Sequence, residues 1–237
     1  MLVAAAVCPC PPLLVPEVAA GAAPELDSAR AACLDAVGVL TASRPDLLVV
    51  VGPADGRTAG VHPAGAHGSF RGFGVALDVT LGGPDPAPRA EPLPDSLAIG
   101  AWLLDRARWA GAPVEGLAVD GRGPAEECVR AGQELAARAD RVALLVMGDG
   151  SACRTLKAPG YLDERAEAFD ARATEALGSA DLAALDALDE TLAYELKVAG
   201  RTPWQLLSGA ARGAGLGARL LYEDAPYGVG YTVAVWS

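Results

Sequence analysis

Residues 142–154 read VALLVMGDGSACR: six consecutive apolar residues, a Gly-Asp-Gly turn, then a hydroxyl, a thiol and a cation. An apolar run this short, closed by turn formers, is a strand buried on both faces. Residues 2–7 and 47–51 repeat the pattern, and residues 114–119 (VEGLAV) read as a further buried strand. Strands that are apolar throughout suit a sheet covered by helices on both sides. Between the first two runs the spacing predicts a helix of about 20 residues opening at Pro24, with Leu26, Ala29, Cys33, Val37 and Leu40 on one face. Further helices are expected over 95–110, 124–139, 163–178, 181–199 and 203–214, the last with Pro203 near its start. Two strands, 218–223 and 229–236, close the chain around Asp224 to Gly228 and favour an antiparallel edge. The expected fold class is α/β, a single domain with a central mixed β-sheet flanked by helices.

Two stretches break that rhythm. Residues 52–74 form a Gly- and His-containing loop, and residues 82–94 form a proline-rich connector whose missing amides suit neither strand nor helix. No internal repeat and no long linker divides the 237 residues.

Composition narrows the function classes. Thirty acidic against 19 basic residues give a formal charge of −11, which disfavours nucleic acid as a partner. No apolar run approaches the roughly 18 residues a membrane helix needs, so no membrane partner is expected. The start, MLVAAAVCPC, lacks the basic region of a lipoprotein signal and reads as a first strand. Five cysteines, an odd count in a chain of this size, fit a reduced, cytoplasmic setting.

In open α/β sheets ligands bind beyond the carboxyl ends of the strands, which directs attention to three loops. The first holds Cys8 and Cys10 on a proline frame, the second runs through Ala54 and Asp55, and the third carries Asp149, Ser151, Ala152, Cys153 and Arg154. Cys10 and Cys153 read either as thiolates or as small buried hydrophobes. Cys33 and Cys128 sit on apolar helix faces and read as core. His62 and His67, the only histidines, could join Asp55 around a metal or stand as solvated loop residues. The third turn, with Arg154 and Lys157, could present amides and cations to an anion, or be a plain turn. Asp149 either orients a ligand or bonds to its own turn.

The strings CPCPPLLVPEV, VVVGPADG, GSFRGFG, LVMGDGSACR, GYLDERAEAFD and EDAPYGVGYTVAV, in this order and spacing, resemble the class III extradiol ring-cleavage dioxygenases. That B-subunit-like superfamily also contains the Memo-like proteins. The resemblance spans nearly the whole chain, implies one α/β domain and a small aromatic ligand, and allows a homodimer. It implies ferrous iron held by two histidines and a glutamate, with a further histidine as acid/base. Carried over residue by residue, the first histidine ligand falls on Cys10 and the second on Ala54, next to Asp55. The acid/base histidine falls on Ala152, or on Cys153 one residue later. The glutamate falls within 195–200, where Val198 fits the tighter register and Glu195 is the nearest carboxylate. Alanine neither ligates nor moves protons, so the expectation is a divergent member with a rebuilt or degenerate metal site. Cys10 with Cys8, Cys153, Asp55, Glu195 or a loop histidine would favour zinc or cuprous copper over iron. The alternatives are a catalytically silent member binding a small ligand or a protein, with no cofactor, and a thiol enzyme using Cys10 or Cys153.

Overall fold

In the computed structural model, which describes residues 1–83 and 91–237, the four apolar runs are the centre of one seven-stranded sheet. The chain runs β1 (Leu2–Cys8), a short helix α1 (Pro16–Ala19), α2 (Asp27–Ala42), β2 (Leu47–Ala54), β3 (Gly60–His62), β4 (His67–Ser69) and β5 (Asp78–Thr80). It continues through α3 (Asp95–Arg106), β6 (Val114–Asp120), α4 (Ala125–Ala136) and β7 (Val142–Met147). Helices α5 (Arg165–Ser179), α6 (Leu182–Asp186), α7 (Glu190–Glu195) and α8 (Arg201–Ala211) precede the closing strands β8 (Ala218–Asp224) and β9 (Tyr231–Trp236).

The sheet order is β3-β6-β2-β7-β1-β9-β8. The β6-β2-β7-β1 pairings are parallel, while β3, β9 and β8 join antiparallel. The sheet is therefore mixed, with β8 as the antiparallel edge expected from the closing turn. Side chains alternate between two cores as a period-2 strand requires. Ala4, Ala6 and Cys8 of β1 face the layer built from α2 and α3, and Ala5 and Val7 face the layer built from α5 and α8. Leu2 joins Ala5 and Val7 despite its even number because the register shifts between Leu2 and Ala4.

Several boundaries differ from the sequence reading. The helix expected from Pro24 begins at Asp27, preceded by 3₁₀ turns over Ala20–Leu26. The helix expected over 181–199 is two short helices, because Asp189 caps α7 by accepting from the Leu192 amide at 2.7 Å. Residues 52–74, expected as loop, contain β3 and β4, and β5 follows at Asp78. β4 and β5 form a separate two-stranded sheet. Of the proline-rich connector, residues 84–90 lie outside the described residues. Among the described residues no helix is long and apolar enough to cross a membrane.

Candidate functional site

The carboxyl ends of β1, β2 and β7 converge because the three strands are adjacent and parallel. Beyond β1 the proline frame turns the chain so that the Cys10 amide donates to Asp149 Oδ1 at 2.7 Å, bridging 139 residues of sequence. The Asp149 turn is held from several sides. The Gly148 amide donates to the Cys8 carbonyl at 2.9 Å, and the Asp149 carbonyl accepts from the Gly200 amide at 2.7 Å. Gly148 must be glycine there, since a Cβ would stand 2.5 Å from the Gly200 Cα.

At the end of β2, Ser96 Oγ donates to the Pro53 carbonyl at 2.7 Å. The bond seats the start of α3 over the strand end. Asp95, the first residue of α3, is thereby close enough to act electrostatically on Cys10. Tyr231, which opens β9, is 2% exposed and feels Asp149 and Cys10.

Electrostatics at this cluster push one way. Asp149 keeps part of its surface open, yet burial raises its carboxyl to about 7, against the opposing effect of the Cys10 amide bond. Burial raises the Cys10 thiol, and Asp149 and then Asp95 raise it further. Burial likewise raises the Tyr231 phenol, followed by Asp149. Cys10 therefore stays a thiol at neutral pH, whereas Asp149 changes charge close to it.

The remaining residues singled out from sequence are dispersed. Cys8 is buried at the end of β1 with the Cys33 thiol against it, a contact that together with burial raises Cys33. Cys153 is 2% exposed, its thiol donates to the Leu196 carbonyl at 3.5 Å, and burial raises it. Ala152 supplies only backbone, its amide donating to Leu196 and its carbonyl accepting from Gly160. Arg154 turns to Asp170 and Glu167. Ala54 ends β2, and the exposed Asp55 closes its own turn on the Arg57 and Thr58 amides. Glu195 is exposed and paired with Arg165 at 2.8 Å. His62 belongs to edge strand β3, four strand positions from β1, roughly 19 Å across the sheet. His67 lies in the β4–β5 hairpin, exposed, with Nε2 3.9 Å from Asp78. His62 is thus well removed across the sheet from the strand that leads to Cys10.

The donor chemistry of these positions bears on the iron centre that the resemblance implies. Ferrous iron of the implied kind needs two imidazoles and a carboxylate. At the matched positions stand Cys10, Ala54, Ala152 and Val198, none of them an imidazole or a carboxylate. Among the described residues no group of three or more His, Cys, Asp or Glu is arranged to hold a metal ion. The residues present do not fit the iron centre.

Sequence reasoning passed over Asp95, Asp170 and Tyr231. Tyr231 stood in the quoted PYGVGY string, and Asp170 ended the quoted YLDERAEAFD string, so the signal was present without an assigned role.

No family model matches the chain, and no curated protein matches it. Solved structures do share its fold. One, a crystal structure of the uncharacterized protein JW3007 of Escherichia coli K12, superposes with a TM-score of 0.55 at 15% identity and covers 99% of both chains. At that identity the likeness establishes the architecture over the full length and nothing about activity.

Proposed function

We propose that this chain is a divergent member of the class III extradiol dioxygenase superfamily that binds a small hydroxylated ligand at its strand ends without an iron-based ring-cleavage reaction. The observation that carries the reading is the Asp149 carboxyl, bonded to the Cys10 amide and poised near 7 at the strand ends. The order and spacing of the quoted strings support the superfamily, and the absence of imidazoles at the matched positions argues against ring cleavage. Below about pH 7 Asp149 is a neutral acid that can donate a hydrogen bond to a ligand oxygen. Above it, the same group is an anion that accepts from a ligand hydroxyl. The buried Tyr231 supplies an aromatic wall that stays protonated.

The test uses catechol as the probe. Protein incubated anaerobically with ferrous iron, then given catechol in air-saturated buffer, is expected to take up no more oxygen than iron alone. In amide NMR spectra catechol is expected to move the Cys10 and Gly150 signals in the native chain and to leave them in place in Asp149→Ala. Sustained catechol-dependent oxygen uptake would restore ring cleavage. Unmoved signals at both pH 6 and pH 8 would remove the ligand class.

A further inference from the structure

Three quoted motifs meet at one side chain. Asp170 reaches from α5 into the space beneath the Gly148–Ser151 turn and is 4% exposed. Its Oδ1 accepts from the Ser151 amide at 2.7 Å, and its Oδ2 accepts from the Ser151 hydroxyl at 2.7 Å and from Arg154 Nη1 at 3.4 Å. The turn before β9 closes on the same carboxylate. A Cβ at Gly150 would stand 2.9 Å from Asp170 Oδ1, and one at Gly230 would stand 2.6 Å from Oδ2. A methyl group at either position would push this carboxylate out of place.

The two turns are also bonded directly to each other. The Gly150 amide donates to the Gly230 carbonyl at 2.7 Å, the Gly230 amide to the Ser151 carbonyl at 2.9 Å, and the Arg154 amide to the Gly228 carbonyl at 3.0 Å. Asp149 sits one residue before Gly150, and Tyr231 one residue after Gly230. The carboxylate that organises this junction thus sets where both of those side chains stand.

We propose that Asp170 is the positioning residue of the strand-end site, fixing the turn that carries Asp149 against the turn that carries Tyr231. The assignment of that site rests on the function proposed above, while the positioning itself rests on the bonds just described. Asp170 does not touch the ligand. It acts through Ser151, Gly150 and Gly230, and its two oxygens are both engaged, so an amide can replace only part of its role.

The experiment compares Asp170→Asn and Asp170→Ala with a control, Thr174→Val. The control removes another buried hydrogen bond of α5, that between Thr174 and Thr232 at 2.8 Å. Amide NMR shifts and hydrogen-exchange protection are read at Cys10 and Gly150, with Val146 in β7 as the core reference. Asp170→Ala is expected to displace the Cys10 and Gly150 signals and to lower their protection about tenfold more than that of Val146. Asp170→Asn is expected to fall between Asp170→Ala and native, and Thr174→Val to leave both signals in place. If Asp170→Ala does not fold, Asp170→Asn decides by the same readout. Unmoved signals in the Asn variant, or equal movement in the Thr174→Val control, would overturn the assignment and leave Asp170 as a packing residue. No ligand enters this measurement, so a displaced Cys10 signal in a chain that fails to bind catechol would sink the function and keep the positioning role.

Discussion

The turns after β7 and β2 leave neighbouring parallel strands, and each carries an aspartate within a few residues of its strand. Their environments are opposite. Asp149 bonds to an amide 139 residues away and is pressed to about 7 by burial. Asp55 bonds to amides two and three residues away, is exposed, and is lowered chiefly by the Thr58 bonds. Farther along the same excursion the exposed Asp78 is held at about 2, chiefly by hydrogen bonds from Arg71 and Ser69. An exposed carboxyl held by local hydrogen bonds stays ionised, whereas burial that one amide bond does not offset carries a carboxyl toward protonation near neutrality. The β7 turn therefore carries a carboxyl that changes charge near neutral pH, whereas Asp55 and Asp78 stay ionised.

The sharpest way to break that contrast is to pry open the braced turn. Gly230→Ala puts a Cβ against Asp170, and overpacking of this kind is expected to cost about 3 kcal/mol, seen as a lowered denaturant midpoint with an unchanged slope. A loss no larger than that of a surface substitution would mean that the two turns are not held together as described.

Asp149→Asn tests the charge itself. A carboxyl whose folded pKa lies above its unfolded value stabilises the fold below pH 3.8 and loses that contribution as pH rises through about 7. The native chain is thus expected to lose stability relative to Asp149→Asn between pH 4 and 7. Above pH 7 the variant should be the more stable by about 2 kcal/mol, after screening of a part-exposed group. Denaturant melts at pH 4 and pH 8 give the two ends. A difference that does not change with pH would place the Asp149 pKa near its ordinary value.

The smallest effect is expected in the other region. His67→Ala should change stability by no more than about 0.5 kcal/mol, because its contacts are exposed and local. It should also leave the Cys10 amide signal where it is in the native chain. A shift at Cys10 would show that the hairpin reaches the strand ends.

Much of the architecture was legible because burial imposes periodicity. The four apolar runs became the sheet centre, and the closing turn became an antiparallel edge. The failures were local competitions: Asp189 stopped one long helix by capping a new one, and short strands formed in a loop whose composition argued against them. The site was only partly legible. Cys10 and Asp149 were found in strand-end loops, whereas Tyr231, Asp95 and Asp170 were passed over. The histidines drew attention as residue types, although their chain position placed one on a sheet edge and the other in a separate two-stranded hairpin.

By itself the sequence determined the alternation of strands and helices, a mixed sheet covered on both faces, and the turns at which chemistry could sit. Those follow from spacing and turn chemistry, which act over a few residues. The tertiary structure alone decided which of those turns is buried, which amide meets Asp149, and which carboxylate braces it. A proton on Asp149 near neutral pH depends on the burial supplied by the segments after β1, in α5 and before β9, against the opposing Cys10 amide bond. No local pattern encodes the assembly of those three segments around one carboxyl.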